Sequence, residues 1–136
     1  MRTAVDSSVI LDVLVADPTH GDASEVALRR ASAQGALIIG ECVVAEIVPA
    51  FPGGKRDVED FLNDWNLEFH PGTLVSSLLA GKMFRAYLAR RKGNQAPRVV
   101  PDFLIGAHAV TLADRLLARD RGYYRDYFAS LVLVEP

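Results

Sequence analysis

The sequence predicts an α/β fold in which a mainly parallel sheet is covered by helices on both faces. Three observations predict it. Short, almost wholly apolar runs recur at Thr3-Ala4-Val5, Leu37-Ile38-Ile39, Leu116-Leu117-Ala118 and within Ser130 to Val134. Stretches with helical spacing or helix-capping residues separate these runs. Strands that are apolar at consecutive positions, not at alternate ones, bury both faces, as parallel strands joined by helices do.

Taken in order, Thr3-Ala4-Val5 is the first strand and ends at Asp6-Ser7-Ser8, three residues able to cap a helix. Val9 to Ala16 is a helix that Asp17-Pro18 breaks, and Asp22 to Ala33 is a second that stops at Gln34-Gly35. After the strand Leu37-Ile38-Ile39, a helix is expected around Val43 to Phe51, then a turn at Pro52-Gly53-Gly54. Asp57 to Trp65 places Val58, Phe61, Leu62 and Trp65 on one helical face. Leu67-Glu68-Phe69 is a short strand, Gly72 to Arg91 a long helix, and Lys92 to Pro97 a loop. Pro101 suits the first turn of a helix running from Asp102 to about Ala113. The chain of 136 residues fits one domain, residues 1–136, with no repeat and no linker.

Composition excludes several classes. Charge breaks every apolar run well before the ~20 residues of a membrane span, and the first residues show no secretory signal. One cysteine, Cys42, rules out an intrachain disulfide and a multi-thiolate metal site, so the cytoplasm is the expected compartment. Net charge is −2, but its distribution is uneven. No acid occurs from Phe69 to Pro101, a stretch that carries Lys82, Arg85, Arg90, Arg91, Lys92 and Arg98. A basic segment beside a pool of acids fits a protein acting on a polyanion through bound cations, and equally a solvated helix face.

The acids hold the strongest chemical signal. Asp6 follows the first strand and Asp120 follows Leu116-Leu117-Ala118; Glu46 is expected near the first turn of the helix after the second strand, and Asp102 opens a helix. Ligand sites of open α/β sheets lie beyond the carboxyl ends of the strands, so these four could share one cleft. Singly, each also reads as a helix-start acid held by backbone N–H groups. Converging carboxylates stay ionised only when cations compensate them. The histidines, His20, His70 and His108, are scattered, so the donor set is all oxygen and selects a hard ion, Mg²⁺ or Mn²⁺. Such a site suits phosphoryl chemistry.

Four segments carry a family resemblance: Val5-Asp6-Ser7-Ser8-Val9-Ile10-Leu11-Asp12, Val44-Ala45-Glu46-Ile47, Pro101-Asp102-Phe103-Leu104-Ile105-Gly106-Ala107-His108-Ala109 and Leu117-Ala118-Arg119-Asp120-Arg121-Gly122-Tyr123. In this order and spacing the chain resembles PIN-domain proteins, most of all the VapC-type toxins of toxin–antitoxin pairs. The resemblance implies a three-layer α/β/α fold and a Mg²⁺- or Mn²⁺-dependent endoribonuclease acting on RNA. It also implies a homodimer held inactive by a cognate antitoxin protein. By position, Asp6, Glu46 and Asp102 become the principal metal-site acids, Asp120 completes the cluster, and Ser8 supports it through hydrogen bonds. Ser8 also reads as a helix cap.

Two positions depart from the family pattern. Ala118 stands where a hydroxyl residue is usual two places before the fourth acid, and Glu41 stands where a small hydroxyl residue is usual before the second motif. Glu41 reads as a helix-start residue in preference to an extra acid at the rim. Asp12, six residues past Asp6, reads as a surface or interface residue.

Arg85, Arg90, Arg91, Arg119 and Arg121 are candidates to neutralise RNA phosphates, and Tyr123, Tyr124, Tyr127 and Phe128 to stack bases. Core or dimer packing is the commoner use of such aromatics. Gly106 and Ala109 share a helical face with Asp102 and leave room either for metal and substrate or for close packing. Gly53-Gly54-Lys55 lacks the upstream glycine and the hydroxyl residue of a phosphate loop. A haloacid-dehalogenase phosphatase needs an Asp where Ser8 stands, and the acidic pair of a receiver domain is not evident. An RNA-processing or DNA nuclease on the same fold, and a non-catalytic partner-binding module, stay open as alternatives.

Overall fold

The computed structural model describes residues 1–91, 100–119 and 123–136. Five parallel strands form the sheet, in the order β3-β2-β1-β4-β5: β1 (Arg2–Val5), β2 (Ala36–Ile39), β3 (Leu67–Phe69), β4 (Arg115–Leu117) and β5 (Leu133–Val134). The sheet expected to be mainly parallel is parallel throughout. Ala4 lies at its centre, paired with Ile38 on one side and Leu116 on the other. Successive strand residues face opposite sides of a sheet, and Leu37, Ile38 and Ile39 are all buried, as are Leu116 and Leu117. Both faces are therefore covered, which gives the three-layer arrangement.

Helices α1 (Ser7–Leu14) and α2 (Gly21–Gln34) connect β1 to β2; α3 (Glu41–Ile47) and α4 (Lys55–Asp64) connect β2 to β3. Helices α5 (Leu74–Arg90) and α6 (Val100–Leu112) precede β4, and the short α7 (Tyr123–Tyr127) precedes β5. Strand order runs from β1 outward to β3, then resumes on the other side of β1 at β4. The direction of winding thus reverses between β1 and β4, and the crevice beyond their carboxyl ends is where such sheets bind ligands.

Local chemistry explains where the helices differ from expectation. Asp6 itself is the N-cap of α1, so the helix begins at Ser7, before the Val9 start expected. It ends before Ala16, whose φ of 49° belongs to the left-handed region. Helix α3 starts directly after Gly40 and gives way to a 3₁₀ turn, Val48–Ala50, because Pro49 has no N–H to continue the α-helical ladder. Glu46 therefore occupies the last turn of α3, correcting the first-turn placement expected. Helix α5 opens on a capping box in which Thr73 and Ser76 satisfy each other's backbone N–H groups. The last strand is confined to Leu133–Val134.

Helices α5 and α6 pack through aromatic rings. Phe103 stacks on Tyr87 at 5.6 Å between centroids, and Phe84 and Tyr127 approach it at 5.4 and 5.5 Å. This cluster anchors the first turn of α6 at the residue next to Asp102; losing such a ring typically costs about 3–5 kcal/mol. Gly106, one turn on, faces the Phe128 ring so closely that a Cβ there would lie 2.4 Å from it. Close packing, not room for substrate, is what this glycine provides.

Candidate functional site

Asp6 is delivered by β1 and fixed by the start of α1. Its backbone N–H donates to Leu117 O at 2.9 Å, extending the β1–β4 ladder one residue past the strand. As N-cap it turns its carboxylate onto the first turn of α1, where Oδ2 accepts from Ser8 N at 3.2 Å and from Ser8 Oγ. Its other oxygen, Oδ1, accepts from the Tyr124 hydroxyl at 3.0 Å. The residue is almost fully buried, and these three donors hold its carboxylate in place.

Glu46 and Asp102 join Asp6 along one cleft of about 260 Å³, with Ser7, Ser8 and Arg119 as its other polar lining and Leu11 and Ile105 as its apolar walls. Glu46 titrates above the ordinary glutamate value. Partial burial is the largest cause; the negative charges of Asp6 and then Asp102 add to it, while a hydrogen bond from Ser7 opposes it. Three acids from chain segments far apart thus sense one another across a single space. Asp120, Arg121, Lys92 and Arg98 lie outside the described residues.

Among the described residues, no three acidic, histidine or cysteine side chains stand close enough to enclose an ion unaided. The carboxylates line an open cleft instead. An all-oxygen donor set is the chemistry that hard ions such as Mg²⁺ take, and Mg²⁺ keeps several waters and binds through one or two carboxylates. A roomier groove of about 390 Å³ between α2 and the C-terminal residues is lined mainly by Ala23, Val26, Ala27, Ala31 and Val134. Its two acids, Asp22 and Glu135, stand with Arg30 and Arg115, whereas the smaller cleft gathers three acids with Arg119.

Other expected site residues fall elsewhere. Arg119 lines the cleft, but its guanidinium grips Asp12 through Nε and Nη2, each at 2.8 Å. Asp12 is buried and also accepts from Ser24 Oγ at 2.7 Å, so it is not the surface residue expected. At helix positions i and i+6 its side chain does leave Asp6, but towards α2. Arg85, Arg90 and Arg91 are exposed along and just after α5 and do not line the cleft; Arg90 lies over the Tyr127 ring at 5.6 Å. Glu41 begins α3 and accepts from Gly72 N at 2.8 Å, which holds its carboxyl below the usual range. The bond ties the start of α3 to the loop between β3 and α5.

Two features of the site have no local signal in the sequence. Tyr124, expected among the stacking or packing aromatics, does pack, fully buried, but its hydroxyl also reaches Asp6. No spacing rule pairs residues 118 positions apart. Beside Ala118, where a hydroxyl is usual, Arg119 N donates to Ser8 Oγ at 3.4 Å, and Ser8 Oγ passes the chain on to Asp6. Ser8 thus links the ends of β1 and β4.

A sequence model of the PIN domain family matches residues 3–128. No characterised protein sequence gives a significant match. Solved structures share the fold. A VapBC2 complex from Rickettsia felis, bound to a DNA fragment from its promoter, superposes with a TM-score of 0.72 at 18% identity, over 100% of this chain and 99% of that one. VapBC-1 from nontypeable Haemophilus influenzae gives 0.69 at 16% identity, covering 99% and 98%. VapC20 from Mycobacterium tuberculosis, described as a toxin that cleaves the sarcin–ricin loop, gives 0.59 at 14% identity, covering 96% and 98%.

Proposed function

The chain belongs to the PIN-domain family, and from that premise we propose that it is a Mg²⁺- or Mn²⁺-dependent endoribonuclease acting as the toxin of a toxin–antitoxin pair. One observation carries the reading: Asp6, Glu46 and Asp102, from three distant parts of the chain, line one cleft at the reversal point of the sheet. Solved VapBC complexes with the same fold support the toxin assignment and a cognate antitoxin partner, and VapC20 supports cleavage of RNA.

In this mechanism Asp6, Glu46 and Asp102, with Asp120 as the fourth acid, would hold the cation. A bound divalent ion would supply Lewis acidity toward the scissile phosphate and a more acidic water. The protein's own work is positional. Asp6 is held by Ser8 and Tyr124, so its carboxylate needs no reorganisation on binding. Glu46 is ready to exchange repulsion from Asp6 and Asp102 for a cation. Leu11 and Ile105 form apolar walls that shield one side from water. The exposed Arg85, Arg90 and Arg91 offer positive charge to the RNA backbone away from the cleft. Among the described residues no helix is long and apolar enough to cross a membrane. Active as a homodimer, two copies would present two such clefts.

The test is incubation of the purified chain with structured RNA, unstructured RNA and DNA in Mg²⁺ or Mn²⁺. The toxin reading expects internal RNA cleavage and slowed growth on expression, relieved by a neighbouring antitoxin gene. RNA cleavage without growth inhibition would favour a processing nuclease. Preference for DNA, or the absence of cleavage, would overturn the ribonuclease assignment.

A further inference from the structure

Tyr124 is an aromatic residue in hydrogen-bond contact with an acid of the cleft. Its ring is fully buried in the core, and its hydroxyl donates to Asp6 Oδ1 at 3.0 Å. Burying a phenol hydroxyl is unfavourable unless it is paired, and a phenylalanine would fill the same space without that cost. Here the hydroxyl is spent on a carboxylate that is itself buried.

The lone pairs of Asp6 show what this does. An ionised carboxylate has roughly four acceptor positions, two on each oxygen. On Oδ2, Ser8 N and Ser8 Oγ take both. On Oδ1, Tyr124 takes one. We infer that Tyr124 is a positioning residue of the acid cleft: with Ser8 it holds the Asp6 carboxylate through three hydrogen bonds, two on Oδ2 and one on Oδ1, so that Asp6 would meet a divalent cation already in place. The inference rests on the reading of Asp6 as a metal ligand. Tyr124 lies just past the segment that bears Asp120, so the same ring couples the placement of Asp6 to the chain after β4. Partners that orient a ligand in this way commonly change metal affinity about 10- to 100-fold when removed.

The test compares Mn²⁺ binding to the full-length wild type and to Tyr124→Phe by calorimetry, with circular dichroism confirming the fold. The expected result is a folded variant whose Mn²⁺ dissociation constant rises about 10-fold or more, with any loss of RNA cleavage recovered at higher Mn²⁺. A merely structural tyrosine would lower thermal stability and leave the Mn²⁺ affinity of the folded protein unchanged, which would overturn the inference. Wild type that binds no Mn²⁺ would overturn both this inference and the metal reading. If Tyr124→Phe does not fold, 3-fluorotyrosine placed at position 124 keeps the hydroxyl and supplies a ¹⁹F resonance. That resonance should shift on Mg²⁺ titration and stay fixed in Asp6→Asn; no shift with Mg²⁺ would contradict the inference.

Discussion

Arg119 and Asp12 form a two-point ion pair, Nε to Oδ2 and Nη2 to Oδ1, both at 2.8 Å, with Asp12 buried and Arg119 partly open to the acid cleft. The pair joins α1 to the segment just after β4, and Ser24 adds α2 through its hydroxyl. A guanidinium so engaged braces the scaffold beside the cleft that it lines.

Removing one partner of a buried pair leaves the other charge uncompensated, typically at about 3–5 kcal/mol. Arg119→Met should therefore lower stability in urea by an amount near the low end of that range, because Arg119 keeps some exposure. The double variant Asp12→Leu/Arg119→Met should be more stable than Arg119→Met alone. A purely RNA-binding arginine would instead leave the urea midpoint unchanged and weaken substrate binding.

Glu46 should show a trade of stability against function. Its carboxyl titrates above the ordinary glutamate value, so ionisation penalises folding. That penalty is absent below the unfolded-state value, grows as pH rises through the folded-state value, and is complete above it. Without metal at pH 7, Glu46→Gln should unfold at a temperature higher by about 1–2 °C, a small gain because water screens this exposed side chain. The gain should vanish near pH 4. Mg²⁺ should stabilise the wild type more than the variant, and a variant less stable than wild type at pH 7 would contradict the repulsion.

Gly106 tests the packing that sets α6. A methyl group there meets the buried Phe128 ring, and overpacking of this kind costs about 1–3 kcal/mol. Gly106→Ala should lower the urea midpoint accordingly, and the added substitution Phe128→Leu should recover part of the loss. If Gly106→Ala is as stable as wild type but inactive, the glycine serves the site and not the core.

The fold was legible because parallel strands buried on both faces leave an unusual signature, visible in Leu37-Ile38-Ile39 and Leu116-Leu117-Ala118. The placement of Asp6 was legible for a related reason: it ends a buried strand and caps the next helix, two local roles that coincide. Glu46 reached the cleft from the end of α3, not its start, because Gly40 and Pro49 together set the length of that helix. What local reading missed were partners distant in sequence. Asp12 looked like a surface residue because nothing near it announces Arg119, 107 positions away. Tyr124 looked like packing because only the folded sheet brings it to Asp6, 118 positions away. Glu41 showed its helix-start role in sequence, whereas its bond to Gly72 depends on how the start of α3 meets the loop after β3.

The central claim is that the acids of one cleft act by holding a divalent cation. Its most direct test is RNA cleavage by wild type, Asp6→Ala and Asp102→Ala in Mg²⁺ or Mn²⁺, each repeated with EDTA. Wild type should cleave RNA, lose that cleavage in EDTA and regain it on adding excess metal, and either variant should fall by at least about 100-fold, equivalent to roughly 2.7 kcal/mol of transition-state stabilisation. Cleavage that survives EDTA, or that persists at the wild-type rate in folded Asp6→Ala and Asp102→Ala, would contradict the claim.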